Sequence, residues 1–484
     1  MAGSDGCGHP MATLGSRSPP RSAPYPGDVG EPRRALVVAG LLLAVAVSGA
    51  AVMALASRTG PGGAGDPLCG DPTILGTSGA DVLEGTSGDD VIDGRGGNDR
   101  ILGRGGDDTI CGGDGGDTIV AGPGDDTIDG GLDGREAIDD DVYERLGDTV
   151  DPGPGDDRVT LGVDPRRGEE TRDGEPAAYP RGDTLTYERA PVGVAADLAA
   201  GVVTGWGRDV LGDAPEVFRS TGHDDVVTGT DGHDYLAIGG GRDRVVAGAG
   251  NDEVWVGTSE AEERLARTGR SARLGDVVDL GDGDDLVVPG AGPDVLVGGP
   301  GADRFSGLGP RDRGEAGPGE DQVVVSITGS GTSGVASAAG GPGEDQLLIG
   351  YDRPVRGLLD TRRGTAGARG GPRDVAFVGF ETYALETGSW TVRGSARPEF
   401  LSVASTPAVR AVVRAGGGAD WLVGGDGDDL LDGGPGPDTA GPSAGRDRCV
   451  SIERTYDGAC RRAGRAIRRV PGARRRRRSA RRWR

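Results

Sequence analysis

Aspartate recurs at every ninth residue between Gly76 and Asp129, at Asp81, Asp90, Asp99, Asp108, Asp117 and Asp126. A row of carboxylates at fixed spacing repels itself when bare, and a divalent cation between neighbours is its natural counter-charge. The glycine-rich turns around each aspartate also free backbone carbonyls. An all-oxygen donor set of this kind suits calcium rather than zinc or copper. The same spacing returns at Asp225, Asp234, Asp243 and Asp252, at Asp285, Asp294 and Asp303, and at Asp420, Asp429 and Asp438. All of these are candidate metal ligands.

The elements that must hold them are six unbroken nonapeptides: GTSGADVLE, GTSGDDVID, GRGGNDRIL, GRGGDDTIC, GGDGGDTIV and AGPGDDTID. Position 4 is always glycine, from Gly79 to Gly124, and position 8 is Leu83, Ile92, Ile101, Ile110, Ile119 or Ile128. A fixed internal period sets the architecture ahead of local propensity. Glycines at positions 1 and 4 are expected to supply the positive φ that a tight turn demands. Positions 7 to 9 read as a three-residue strand with its middle side chain inward. Stacked, such units give short parallel strands around a thin aliphatic ladder, with the carboxylates along the turns.

This nonapeptide resembles the G-G-x-G-x-D-x-U-x repeat of RTX (haemolysin-type) calcium-binding proteins. The resemblance implies an all-β fold, a parallel β-roll or β-solenoid with two nonads per coil. It also implies calcium between same-side turns, held by position-6 carboxylates and backbone carbonyls. It covers roughly half of the chain and names a calcium module rather than an activity.

Composition agrees with a solenoid. Glycine makes up 96 of 484 residues, aromatics 4%, and the formal charge is −24. No conventional core can be built from that composition, and a repeat held by cations is the reading that fits. All 53 basic residues are arginine.

Residues 1–34 read as a disordered N-terminal region. The uncharged run Ala35 to Ala56 is long enough, at about 33 Å as a helix, to cross a bilayer core of about 30 Å. It ends in Ala54-Leu55-Ala56 before Ser57, so a cleaved signal peptide and a retained anchor both stand. Either implies export to the extracellular space or the cell surface. The first array with its cap is expected over residues 66–160, with looser copies at Asp148 and Asp157. A loop and linker strands follow over 161–219, including a charged loop from Pro165 to Pro180. Residues 220–324 hold the second and third arrays. His223 stands where the second should have glycine, and Pro310 stands where glycine belongs before Asp312. Residues 325–414 read as linker β-coils, and 415–460 as the last array and a disulfide cap. The segments Asp183 to Phe218 and Asp345 to Tyr383 resemble each other.

Beyond the apolar run lie four cysteines, consistent with an oxidising compartment and two disulfides. Cys69–Cys111 and Cys449–Cys460 are the expected pairs, each contributing about 3 kcal/mol by restricting the unfolded chain. Cys111, at position 9 of its copy, is expected to face outward where a cap can reach it. The tail, residues 461–484, holds 13 arginines, and without them the formal charge falls from −24 to −37. It reads either as a solvated tail or as a contact with anionic envelope polymer or a membrane surface; nucleic acid suits an exported protein poorly.

Chemistry beyond ion binding finds no residues. There are three histidines, His9, His223 and His233, and no H-E-x-x-H or G-x-S-x-G. Without lysine there is no Walker A loop. The expectation is a non-catalytic calcium-binding repeat protein that folds on calcium after export. Its rivals are an adhesion or envelope-structural protein using its loops or tail, and a secreted hydrolase with an unrecognised site.

Overall fold

The computed structural model describes residues 68–139, 142–162, 182–257, 274–327, 334–369, 373–386, 388–404, 410–441, 445–456 and 460–462. The Ala35 to Ala56 run, the Pro165 to Pro180 loop and nearly all of the arginine tail lie outside them. Among the described residues every regular element is a strand, and no helix is long and apolar enough to cross a membrane.

Alternate nonads stack into separate sheets. Val82–Glu84 pairs in parallel with Arg100–Leu102, and that strand with Thr118–Val120, so Leu83, Ile101 and Ile119 lie in line. On the other sheet Ile92, Ile110 and Ile128 follow one another in the same way. Two nonads therefore make one coil, as in a β-roll. Three-residue strands flanked by glycine turns leave one side chain per strand pointing inward, and the position-8 residues form the core. The core continues beyond the regular repeats through Val150, Leu185, Phe218 and Trp390 to Leu431 and Cys449.

The two similar segments are built alike. In the first, Ala195–Asp197, Val202–Thr204 and Arg208–Leu211 form an antiparallel meander where one parallel strand would otherwise stand. The meander runs backwards: Arg208–Leu211 pairs with Arg158–Thr160 of the preceding coil, and Ala195–Asp197 with Val226–Thr228 of the next. Val355–Asp360, Thr365–Ala368 and Val375–Val378 repeat this arrangement. The opposite sheet continues unbroken past both, Thr184–Thr186 pairing with Val217–Arg219 and Gln346–Tyr351 with Thr382–Leu385.

Disulfides join Cys69 to Cys111 and Cys449 to Cys460, with Cα atoms 6.3 and 5.5 Å apart. The segment carrying Cys69 reaches Cys111 as expected and covers it, so both are buried.

Glycine does different work from that expected. Position 4 takes positive φ at Gly97, Gly106, Gly115 and Gly124, but the other positive-φ position is 2, not 1: Arg95, Arg104, Gly113 and Gly122. Position 1 is glycine because of crowding. A Cβ on Gly103 would stand 2.5 Å from the Ala121 carbonyl oxygen and 2.6 Å from Asp108 Oδ2.

Candidate metal centre

Position 6 ends each turn, and its backbone N–H points along the solenoid axis. It donates to the carboxylate of the position-6 residue one coil further on: Asp81 to Asp99 Oδ1 at 2.7 Å, Asp99 to Asp117 at 2.7 Å, Asp90 to Asp108 at 2.9 Å and Asp108 to Asp126 at 2.8 Å. Two such rows arise, one preceding the strands of each sheet, and therefore on opposite edges of the coil.

The rows gather all of the candidate ligands. Asp234, Asp252, Asp285 and Asp303 are consecutive in one, and Asp225 donates to Asp243 in the other. Asp294 follows Asp276 there. Asp420 donates to Asp438, and Asp429 to Asp447. The turn carrying His223 is intact, since Asp225 is buried and accepts from the Thr221 N–H at 3.0 Å.

Sequence reasoning left several members out. The nonad pattern does not put Asp183 and Asp209 at position 6, and it puts Asp148, Asp157, Asp312, Asp321 and Asp345 at position 6 of looser copies without counting them as ligands; all seven occupy the rows. Glu216, Glu381 and Glu453 substitute for aspartate, each accepting through Oε2 from the preceding member. A search for an acidic residue followed by x-aliphatic or x-aromatic, rather than for aspartate alone, would have found Glu216 before Val217-Phe218 and Glu381 before Thr382-Tyr383. Position 5 also has a role. Asp89, Asp107 and Asp125 face solvent, yet each accepts the N–H of the position-5 residue one coil on, at 3.0 Å.

The second carboxylate oxygen divides the turns into two kinds. Where position 2 is threonine, the turn closes on itself. Thr77 donates to Asp81 Oδ2 through its N–H (2.6 Å) and hydroxyl (2.8 Å), and Thr86 does the same for Asp90 at 2.6 and 2.9 Å. Thr221 and Thr230 hold Asp225 and Asp234 likewise. The Thr N–H, then its hydroxyl, keep Asp81 and Asp90 below the usual carboxylate range.

Where position 2 is arginine or glycine, no hydroxyl is present. The Oδ2 atoms of Asp99, Asp108, Asp117, Asp126, Asp157, Asp252, Asp285, Asp303, Asp420 and Asp438 are buried with no hydrogen-bond partner. Burial pushes Asp117, Asp126, Asp252 and Asp303 up to about 7 and Asp157 to about 8, with neighbouring carboxylates adding to the rise. Where position 1 is glycine it leaves room for a backbone carbonyl of the adjoining coil beside the open oxygen: Gly112 O and Asp99 Oδ2 flank Gly94, as Ala121 O and Asp108 Oδ2 flank Gly103, Gly130 O and Asp117 Oδ2 flank Gly112, and Ala316 O and Asp303 Oδ2 flank Gly298.

A buried carboxylate oxygen without a donor is costly, and one facing a carbonyl oxygen is worse; a hard cation satisfies both. The residues present therefore fit calcium, which would be held by the open aspartates and these carbonyls and would supply the charge that the rows lack.

The family model of the RTX calcium-binding nonapeptide repeat, in blocks of four copies, matches residues 75–110, 112–133, 220–254, 279–313, 290–323 and 412–440. The chain carries RTX calcium-binding nonapeptide repeats. Its RTX repeats bind Ca2+, and the matched blocks carry the candidate aspartates of every array. Comparison with curated proteins finds none that matches the chain.

Proposed function

We propose that this protein is an exported, non-catalytic calcium-binding module whose coils order when calcium enters the open turns outside the cell. The observation that carries this reading is the set of buried Oδ2 atoms without a donor, which at Asp99, Asp108, Asp117 and Asp303 lie beside a carbonyl of the adjoining coil. One buried aliphatic side chain per nine ordered residues makes a thin core, so ion binding and folding are one process here. Two disulfides and the apolar run Ala35 to Ala56 support export. Extracellular calcium modules work at about 10⁻⁴–10⁻³ M, which leaves such a chain unfolded in the cytosol.

The test is a calcium titration of chelator-treated protein followed by far-ultraviolet circular dichroism. A coil-to-β transition with calcium that equal magnesium does not reproduce is the expected result. A spectrum unchanged across millimolar calcium would sink the reading.

A second reading has its own observation. The body is acidic while residues 461–484 hold 13 arginines, a polarity suited to anchoring on anionic envelope polymer or phospholipid. Retention on cell-wall polymer that disappears with the tail removed would favour it over a free calcium module.

A further inference from the structure

Regular turns offer one carboxylate per coil to each row. Among the described residues one turn is different. Between Gly130 and Asp148 the chain runs out and back as an antiparallel hairpin, Thr127–Asp139 against Val142–Leu146. At the root of the hairpin the coil register is kept: Gly113 lies opposite Gly131, Asp114 opposite Leu132 and Gly115 opposite Asp133. Asp133 therefore stands at position 4, where all six uninterrupted nonads have glycine, and it adds a carboxylate to a turn that normally has no side chain there.

That carboxylate meets two members of the row. Oxygens of Asp133, Asp148 and Asp183 lie within 4.8 Å of one another. Asp148 and Asp183 are consecutive, the Asp148 N–H donating to Asp183 Oδ1 at 2.8 Å. Asp148 is 0% exposed; its Oδ1 accepts from the Asp117 N–H at 2.7 Å, and its Oδ2 has no hydrogen-bond partner. Gly130 leaves open the space beside that atom, since a Cβ there would collide with both Asp148 Oδ2 and the Leu161 carbonyl. Three carboxylates this close cannot all be ionised unaided. Burial, then the charges of Asp117, Asp183 and Asp133, push Asp148 up to about 9. Asp183 is raised too, by burial first and then by Asp133, with which it shares a hydrogen bond.

We propose that Asp133, Asp148 and Asp183 form a three-carboxylate calcium site that binds more tightly than the sites of the regular turns. It rests on the reading that the repeats take calcium. The charge and number of oxygen ligands tune calcium affinity, and a third carboxylate from a rooted hairpin adds charge without adding slack. The site also has a place in the architecture. It joins the turn that carries the hairpin to the next turn on the same edge, at Gly182–Asp183. A cation there would fasten the root of the hairpin to the following turn.

Equilibrium dialysis and chelator competition on the full-length protein test this. Wild type is compared with Asp133→Asn, with Asp133→Gly, which restores the regular turn, and with Asp231→Asn, an exposed aspartate in a threonine-closed turn. Wild type is expected to hold one tightest equivalent of calcium. Both Asp133 variants should lose that equivalent while keeping the weaker ones and the β spectrum in saturating calcium, and Asp231→Asn should keep it. An unchanged tightest class in Asp133→Gly, or an equal weakening of every class, overturns the proposal. Should Asp133→Asn fail to fold, Asp133→Gly decides, because glycine already stands at the matching position of the preceding coil. Absence of calcium uptake by wild type would instead defeat the broader reading, and this site with it.

Discussion

Two glycines of the nonad turns predict opposite outcomes on gaining a methyl group. At Gly103 the new carbon would meet Ala121 O and Asp108 Oδ2, so Gly103→Ala should cost about 1–3 kcal/mol and one bound calcium. At Gly79 a Cβ meets nothing within 4 Å, and Gly79→Ala should stay within about 0.5 kcal/mol. Thermal melts in saturating calcium, with a calcium count, separate the two. The threonine-closed turns make a different prediction. Thr86→Val removes the hydroxyl bond to Asp90, should cost about 1 kcal/mol, and should raise the Asp90 carboxyl toward its ordinary value, read by melts and by a nuclear magnetic resonance titration. Charge gives the third. Without metal, Asp117, Asp126 and Asp303 titrate near 7 when folded but near the ordinary aspartate value of 3.8 when unfolded. Between those values the folded state holds more protons, so stability of the metal-free coils falls as pH rises from about 4 to about 7. Calcium must displace those protons. In chelator, ordered β structure should be greatest near the acid end of this window, and calcium addition near pH 6 should release protons into a weakly buffered solution. Structure that strengthens from pH 4 to pH 7 in chelator would contradict the assignment.

At the level of turns and strands, what the sequence disclosed depended on whether one residue did one job. Asp99 and Ile101 each have a single role in their copy, and the period exposed both. Position 1 was misjudged because glycine has two uses, conformational freedom and close approach, and composition does not separate them. Arg95 and Arg104 at positive φ show that position 2 bears the strained backbone even without glycine. Glu216 and Glu381 were invisible to a search for aspartate, although one further methylene still reaches the N–H of the preceding coil. Asp133 was hidden because a hairpin separates it from the rest of its turn, and only pairing across the coil restores its position. The meander segments were legible as a similar pair, but not their backward course, which depends on contacts between coils. The cap at the N-terminal end also makes a prediction. The Cys69–Cys111 bond closes a sequence separation of 42 residues and should contribute about 4 kcal/mol through the unfolded chain. Cys69→Ser with Cys111→Ser should therefore expose the Ile92 and Ile110 strands first, seen as early hydrogen exchange there.

For the solenoid as a whole, the arrays that look separate in sequence belong to continuous rows. Asp243 is followed by Asp276 and Asp252 by Asp285, so 33 residues separate partners that are 18 apart in a regular coil, and the ladder is kept. Extra chain has entered at turns, where it leaves strand pairing undisturbed. The described coils contact their neighbours rather than a shared centre, and stability in such an architecture is close to a sum of unit and nearest-neighbour terms. Melts at intermediate calcium should accordingly be broad and should sharpen at saturation; a single sharp transition at every calcium level would speak against this. The position-6 hydrogen bond has a consequence of another kind. Each N–H reaches only to the next coil, so an ion gained or lost is felt at once by two coils and only at second hand by the rest. The chain would then express the surrounding calcium concentration as a length of ordered polymer, a graded quantity, rather than as a switch between folded and unfolded.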